Sequence, residues 1–125
     1  MQFSKAEGLG NDFIIIHQNS LDNPDWPALA YKICERHTGI GADGLLIYQA
    51  LPQGSPGSYQ MRIFNADGSE AEVSGNGLRC LAAHLCAGPE SKADKILIET
   101  VSGEHLLKRI ATSHPVYWFR VDMGQ

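Results

Sequence analysis

Residues 72–87 read EVSGNGLRCLAAHLCA, and this stretch decides the fold. Residues 77–87 contain only two strongly polar side chains, Arg79 and His84, and the Gly88-Pro89 pair that follows is typical of a helix end. A helix that is apolar on nearly all sides is surrounded by other parts of the protein. At about 11 residues it is too short to cross a bilayer. The sequence therefore predicts a helix wrapped by a strongly curved sheet.

This helix is preceded by a run of small residues, Ser74-Gly75-Asn76-Gly77. The first backbone N–H groups of a buried helix need hydrogen-bond acceptors. One interpretation is that Ser74 or Asn76 caps the helix. The other is that the end stays open for an anion such as a carboxylate, because glycines allow close approach and the helix dipole favours negative charge. The residues alone leave both interpretations open.

The remaining segments predict mainly strands. Residues 23–37 form the other predicted helix, with Asn23 or Asp25 as its N-cap and prolines only in its first turn. The predicted strands follow one another rather than alternating with helices, with Asp67-Gly68 as one of the turns. The predicted fold class is α+β, with a curled, mostly antiparallel sheet wrapped around the central helix. The predicted strands are residues 2–5, 13–17, 45–48, 59–64, 70–73, 96–100, 105–110 and 116–121.

Composition limits the classes of function. The chain of 125 residues is large enough for one domain with a core but not for two. A net charge of −4 without a Lys/Arg cluster argues against a nucleic-acid partner. The longest apolar run, residues 13–16, cannot span a bilayer and no signal-peptide core is visible, so no membrane is expected. Three cysteines without disulfide or zinc spacing favour a cytoplasmic location.

Several other motifs are interpreted as structural. Residues 39–44, GIGADG, match G-x-G-x-x-G, but they follow a predicted helix and precede a predicted strand, the reverse of the order in a dinucleotide fold. They are therefore not interpreted as a nucleotide site. Asp67, Glu70 and Glu72 lack EF-hand spacing and the five histidines lack metal-ligand spacing, so no metal site is predicted. The residues interpreted as core thiols are Cys34, Cys80 and Cys86.

Three separated segments carry a resemblance to a known family. They are Lys5 with residues 7–13 (K…EGLGNDF), residues 36–46 (RHTGIGADGLL) and residues 64–80 (FNADGSEAEVSGNGLRC). In order and spacing they closely resemble diaminopimelate epimerase, and the resemblance extends to VDMG at residues 121–124. It implies two similar α+β halves, each with a sheet curled around a central helix, and an active site between them.

The resemblance also implies an activity and a set of site residues. The family inverts an α-carbon of diaminopimelate without a cofactor, linking the LL and meso forms for lysine and peptidoglycan supply. It uses two cysteines, one from each half, placed at helix N-termini where the dipole and amide donors lower the thiol pKa. Ser74 occupies the position of the first cysteine. The residues that match the family's substrate-binding positions are Asn11, Asn65, Gly75 and Asn76.

The sequence departs from the family pattern in three ways. Gly44 stands where some members carry a glutamine that contacts the substrate, so that contact is missing. Ser74 offers a hydroxyl, which is a much weaker acid than a thiol and a poor base at pH 7. The family's second half, with the second cysteine and a Glu-Arg pair, lies outside the chain, so residues 1–125 are expected to be an N-terminal domain without a complete site. The expected partners are that C-terminal half, a small amino-acid substrate and a second copy in a homodimer.

Two alternatives to diaminopimelate epimerase stay open. One is another cofactor-independent racemase or isomerase of the same superfamily, although GLGNDF (residues 8–13) and FNADGSEAE (residues 64–72) favour diaminopimelate. The other is a non-catalytic amino-acid-binding or interaction domain, which the serine at position 74 favours. The residue that faces Ser74 from the second half discriminates between these readings, because a cysteine there would favour the enzyme.

Overall fold

The computed structural model describes residues 3–8, 10–22, 24–51, 58–72, 75–87, 95–113 and 116–122. Its elements are β1 (Ser4–Gly8), β2 (Asn11–His17), a 3-10 turn (Gln18–Ser20), α1 (Trp26–Ile33), β3 (Gly44–Ala50), β4 (Ser58–Asn65), β5 (Glu70–Ala71), α2 (Gly75–Ala87), β6 (Lys95–Thr100), β7 (Gly103–Ser113) and β8 (Val116–Asp122). The eight strands form one sheet in the order β1-β2-β3-β4-β6-β7-β8, and β5 pairs with the end of β4.

The sheet curls around α2, as the sequence predicted. This helix lies against β1 and β2 at one edge of the sheet and against β7 and β8 at the other. Every residue from 75 to 85 is buried or half-buried. Most neighbouring strands are antiparallel, and the pairs β2–β3 and β4–β6 are parallel. The prediction of a mostly antiparallel α+β fold around a wrapped helix is confirmed.

The central strands have a core on each face of the sheet. Successive side chains of a strand point to opposite faces, so neighbouring residues of β2 and β3 enter different cores. Burial on both faces explains why these two strands are nearly continuous apolar runs. The core toward α2 includes Phe13, Ile15, Leu46, Leu78 and Leu81, and the core toward α1 includes Ile14, Ile16, Leu45, Trp26 and Ile33.

Helix α1 is shorter than the predicted helix at residues 23–37. Asp25 caps its N-terminus, because its carboxylate accepts a hydrogen bond from the Ala28 N–H at 3.2 Å. The helix ends because the chain turns back over it: the N–H groups of Ile40 and Gly41 both donate to the carbonyl of Ile33 at 2.9 Å. The predicted extension of the helix to residue 37 is therefore wrong. Within the described ranges, neither helix has the length and hydropathy that a membrane span requires.

The strand predictions are correct in position and differ at the ends. Strand β1 continues to Gly8, beyond the predicted end at residue 5, because its pairing with β2 continues to Asn11. The predicted turn at Asp67-Gly68 is confirmed, since the Gly68 N–H donates to the Asn65 carbonyl at 2.9 Å and Gly68 has φ of +92°. Predictions that lie outside the described residues concern Gln2, Asn23, residues 52–57, Val73, Ser74 and the Gly88-Pro89 pair.

Candidate functional site

The starts of β2 and β3 and the end of β4 lie at one end of the sheet. β2 and β3 are parallel, with Phe13 beside Gly44, and β4 is antiparallel to β3, with Asn65 beside Gly44. Asn11 begins β2 and Asn65 ends β4, so both asparagines lie at this end, and both are exposed. We call this part of the molecule, defined by Asn11, Gly44 and Asn65, the asparagine end.

The N-terminus of α2 also lies at the asparagine end. Nδ2 of Asn76 donates a hydrogen bond to Oδ1 of Asn11 at 2.9 Å, which ties the first turn of α2 to the start of β2. Gly75 and Asn76 are half-buried there. The structure thus brings together four of the five predicted site residues, Asn11, Asn65, Gly75 and Asn76. The fifth, Ser74, lies outside the described residues, one position before the helix.

Asn76 is not the N-cap of α2. The helix begins at Gly75, so Asn76 lies inside the first turn, and its amide nitrogen is used in the bond to Asn11. The cap predicted at Asn76 is wrong, whereas a cap at Ser74 stays a prediction. The first turn of α2 contains no acidic side chain. A carboxylate at this end would be stabilised by backbone N–H donors and by the helix dipole.

A guanidinium lies close to the first turn of α2. A Cβ built on Gly75 would be only 3.0 Å from Nη1 of Arg79, so the glycine leaves room for this group. Arg79 is half-buried, and no ion pair reaches it from the residues that the structure describes. A cation beside the N-terminal turn of a helix is unfavourable with respect to the helix dipole. Its charge adds to the attraction of this end for an anion.

Asn65 is held in place by the turn that follows it. Its backbone N–H donates to the Ser69 carbonyl at 2.7 Å, and its Nδ2 donates to the Ser69 hydroxyl at 3.0 Å. The Asp67 carboxylate accepts hydrogen bonds from the Ser69 N–H at 2.9 Å and from the Ser69 hydroxyl at 2.6 Å, which lowers the pKa of Asp67. These bonds use the amide nitrogen of Asn65. Its amide oxygen is then the group suited to accept a hydrogen bond from a ligand ammonium.

Asp12, the residue that follows Asn11, lies in a group of four charged side chains. Nη2 of Arg36 lies 3.1 Å from Asp12 and 3.3 Å from Asp43, and Nζ of Lys5 lies 3.4 Å from Asp12. The hydrogen bond from Arg36 holds the pKa of Asp12 well below its usual range, and the same contact raises the pKa of Arg36. The two positive and two negative formal charges cancel. We call these four residues the charge cluster.

The chain is similar to proteins of known family over nearly its whole length. Residues 3–125 match the family model described as diaminopimelate epimerase. The diaminopimelate epimerase of Pelotomaculum thermopropionicum is 44% identical over 127 aligned positions, which cover 100% of this chain and 44% of that protein. The chain belongs to the diaminopimelate epimerase family. A second member, from Prochlorococcus marinus, is 54% identical over 91 positions, which cover 68% of this chain and 29% of that protein. The chain therefore spans less than half the length of the curated relatives it matches.

Solved structures share the fold at low sequence identity. A PhzF-family phenazine biosynthesis protein from Bacillus anthracis superposes with a TM-score of 0.68 at 16% identity, over 95% of this chain and 38% of that one. A hydroxyproline epimerase from Agrobacterium vitis superposes with a TM-score of 0.66 at 12% identity, over 89% of this chain and 37% of that one. At these identities the likeness shows the fold alone, and it agrees with the α+β class.

Gly44, the first residue of β3, is the position at which the family resemblance implies a glutamine in some members. A Cβ built on Gly44 would be 3.0 Å from the Phe64 carbonyl oxygen and 3.3 Å from the ring of Phe13. The backbone of β3 is therefore packed too closely to accept a side chain here without rearrangement. This packing favours glycine at the start of β3.

The glycine run at residues 39–44 has a structural role in this member of the family. A Cβ on Gly39 would be 2.5 Å from the carbonyl oxygen of Lys32 and 2.7 Å from that of Ile33. Gly41 has φ of +85°, which favours glycine. Both glycines belong to the loop that closes the C-terminus of α1, and the last glycine of the run, Gly44, begins β3. The order found in the structure supports its rejection as a nucleotide site.

The described cysteines are core thiols, as predicted. Cys34 and Cys80 are buried, and burial raises the pKa of each thiol to about 11. Very little thiolate is then present at neutral pH, which makes both unsuitable as catalytic bases. The side chain of Cys86 is not among those described. The described part of the chain contains no cluster of three or more His, Cys, Asp or Glu side chains that could hold a metal.

A cleft that the sequence did not reveal lies at the other end of β2. It has a volume of about 450 Å³, and its lining includes His17, Tyr48 and His84. The rings of His17 and Tyr48 meet edge to face at 5.0 Å, and the Tyr48 hydroxyl lies 3.3 Å from Nε2 of His84. The length of β2, about 20 Å, separates this cleft from Asn11. None of the four described site residues, Asn11, Asn65, Gly75 and Asn76, lines it. The parallel register of β2 and β3 brings His17 to Tyr48, and the spacing of these residues in the sequence does not reveal it.

Proposed function

We propose that this chain forms one half of a diaminopimelate epimerase that interconverts the LL and meso forms without a cofactor. The observation that carries the proposal is the convergence of Asn11, Asn65, Gly75 and Asn76 at the asparagine end of a chain whose family match covers residues 3–125. The proposed setting is the cytoplasm, where the product serves lysine and peptidoglycan precursor synthesis. A second half of the epimerase fold and a second copy of the protein are the proposed partners.

In this proposal the first turn of α2 binds the α-carboxylate of the substrate. Backbone donors near Gly75 and Asn76 and the helix dipole stabilise the negative charge, and the Arg79 guanidinium beside Gly75 adds to the attraction. Asn11 and Asn65 contact the polar groups of the bound amino acid. Because these contacts come from secondary-structure ends that are tied together, they hold the α-carbon in a fixed orientation.

Inversion of the α-carbon requires a base on one face and an acid on the other. Position 74 provides the group for one face, and the second half of the fold provides the group for the other. Ser74 has a hydroxyl in place of a thiol, and the hydroxyl is almost entirely protonated at pH 7. We therefore propose that the serine form carries out proton transfer slowly while it binds substrate normally.

A second candidate function is that of a non-catalytic amino-acid-binding domain. The identity of residue 74 favours it, because a serine keeps the shape of the site but lacks the base that the family uses at this position. The proposed binding contacts are the same in both cases. The two functions differ only in whether the α-proton exchanges with solvent.

The test is uptake of α-deuterium by LL- and meso-diaminopimelate in heavy water. The purified chain alone is expected to catalyse no exchange, because one face of the α-carbon has no acid or base near it. The chain fused to the C-terminal half of the Pelotomaculum thermopropionicum enzyme is expected to catalyse exchange, and Ser74→Cys is expected to accelerate it. That C-terminal half alone is the control.

Two results would contradict the proposal. Exchange catalysed by residues 1–125 alone would show that a second half is not needed. A Ser74→Cys fusion that binds diaminopimelate without exchanging its α-proton would favour the non-catalytic binding domain.

A further inference from the structure

We propose that Arg36 is a positioning residue for substrate binding, because it bridges Asp12 and Asp43 and thereby fixes Asn11 at the asparagine end. The inference rests on the proposed function, since it concerns the same site. Arg36 itself lies in the loop after α1 and is assigned no contact with the substrate. It acts through Asp12, the residue that follows Asn11.

The first step is the backbone link between the starts of β2 and β3. The Asp12 N–H donates to the Asp43 carboxylate at 2.9 Å. The Asp43 N–H in turn donates to the carbonyl of Asp12 at 3.0 Å and to its carboxylate at 2.9 Å. The two aspartates therefore hold each other's backbone in place immediately before Gly44 and immediately after Asn11.

The second step is the repulsion between the carboxylates of Asp12 and Asp43 that Arg36 offsets. Two carboxylates that lie so close together repel each other, and one guanidinium contacts both, at 3.1 Å for Asp12 and 3.3 Å for Asp43. Lys5 contacts only Asp12. Removal of the Arg36 charge would leave the cluster with a net charge of −1 beside a site for an anion. The predicted consequences are a looser start of β2 and weaker carboxylate binding.

The third step links this cluster to the ligand site. Asn11 accepts the hydrogen bond from Asn76 in the first turn of α2 at 2.9 Å. A shift of the Asp12 backbone therefore moves the acceptor that orients Asn76. The chain of contacts runs from Arg36 through Asp12 and Asn11 to Asn76.

A role confined to stability fits the cluster less well. The side chains of Arg36 and Asp43 are 55% and 42% exposed, so the ion pair between them contributes little to the free energy of unfolding. Asp12, which is only 16% exposed, contributes more, and it is the residue next to Asn11. The ion pair between Arg62 and Glu70 provides a matched control, because its side chains are similarly exposed, at 43% and 35%. It joins β4 to β5 and does not involve Asp12 or Asn11. Arg62→Met therefore removes a comparable ion pair elsewhere on the sheet.

The experiment compares Arg36→Met, Arg36→Lys and Arg62→Met in two assays. The first follows the side-chain amide NMR signals of Asn11 and Asn76 in residues 1–125. The second measures KM and kcat for α-proton exchange in the fusion with the C-terminal half, with Ser74→Cys in every form. We expect Arg36→Met to shift both amide signals and to raise KM about tenfold with kcat changed less than twofold, consistent with a loss of uniform binding. Arg36→Lys should restore part of the effect, and Arg62→Met should cause none of it.

The two assays separate this inference from the proposed function. If Arg36→Met leaves both amide signals and KM unchanged, the positioning role is overturned. A fall in kcat without a change in KM would also overturn it. If no form exchanges the α-proton, the proposed function fails, and the amide signals alone then decide whether Arg36 positions Asn11. If Arg36→Met loses its folded circular dichroism spectrum, Arg36→Gln, which keeps a hydrogen-bond donor, takes its place in both assays.

Discussion

Gly39→Ala is the substitution whose effect is most directly defined by the structure. The new Cβ would lie 2.5 Å from the Lys32 carbonyl oxygen, 2.7 Å from that of Ile33 and 3.0 Å from that of Glu35. All three atoms belong to the backbone, two in the last turn of α1 and one just after it, so no side chain can rotate away. The loop or the end of the helix has to move instead.

The expected cost follows from two opposing contributions. Overpacking of a close-packed region typically costs about 1–3 kcal/mol, and a clash with three backbone atoms belongs at the upper end. Replacement of glycine by alanine stabilises by about 0.4–1 kcal/mol through the unfolded chain. We therefore expect Gly39→Ala to lower the free energy of unfolding by about 2 kcal/mol, with a fall in Tm of about 6–10 °C for a domain of this size.

The assay is urea unfolding followed by tryptophan fluorescence, since Trp26 is buried in the core beside α1. Gly75→Ala is the control, because its Cβ would meet only the mobile end of Arg79, at 3.0 Å. It should change the free energy of unfolding by less than about 1 kcal/mol, the range of glycine-to-alanine changes in a helix. If Gly39→Ala is as stable as the unmodified chain, the glycine run has no structural role at the end of α1 and the reasoning is refuted.

Three further predictions concern ionisable and reactive groups. Arg36 lowers the pKa of Asp12 in the folded state, so the stability that Asp12 contributes is present above about pH 4 and is lost as the pH falls below it. Asp12→Asn should therefore flatten the acid side of a curve of Tm against pH, and an unchanged acid side would contradict this prediction. Cys34 and Cys80, each with a pKa of about 11, should resist iodoacetamide at pH 8 until the chain unfolds, as peptide mass spectrometry can show, and rapid labelling of the native state would contradict their burial. Ser74→Cys in the fusion with the C-terminal half should raise kcat about 10²–10⁴-fold with little change in KM, and brisk turnover by the serine form would place the base elsewhere.

The wrapped helix could be predicted from the sequence because its composition leaves few alternatives. Residues 77–87 are apolar on nearly all sides, so the helix has to be enclosed, and a short chain can enclose it only with a curved sheet. Turn chemistry was equally informative at Asp67-Gly68, where a residue with positive φ is needed. Both predictions depend only on residues that are close together in the sequence, and the structure confirms both.

The features that the sequence did not predict depend on contacts that no local sequence pattern reveals. The end of α1 is set by hydrogen bonds from Ile40 and Gly41 back to Ile33, which helix periodicity does not reveal. The charge cluster joins Asp12 to Asp43 across 31 positions of sequence, and only the parallel register of β2 and β3 brings them together. The site residues were found through the family motifs, and their common location at the asparagine end became visible only in the sheet.

The central claim is that the asparagine end and the first turn of α2 bind the carboxylate of an amino acid. An NMR titration of residues 1–125 with meso-diaminopimelate tests it most directly, because it requires neither turnover nor the second half. We predict saturable shifts of the backbone amides of Gly75 and Asn76 and of the side-chain amide of Asn11. If the only signals that move belong to the cleft of His17, Tyr48 and His84, or if no signal moves at millimolar substrate, this assignment of the site is contradicted.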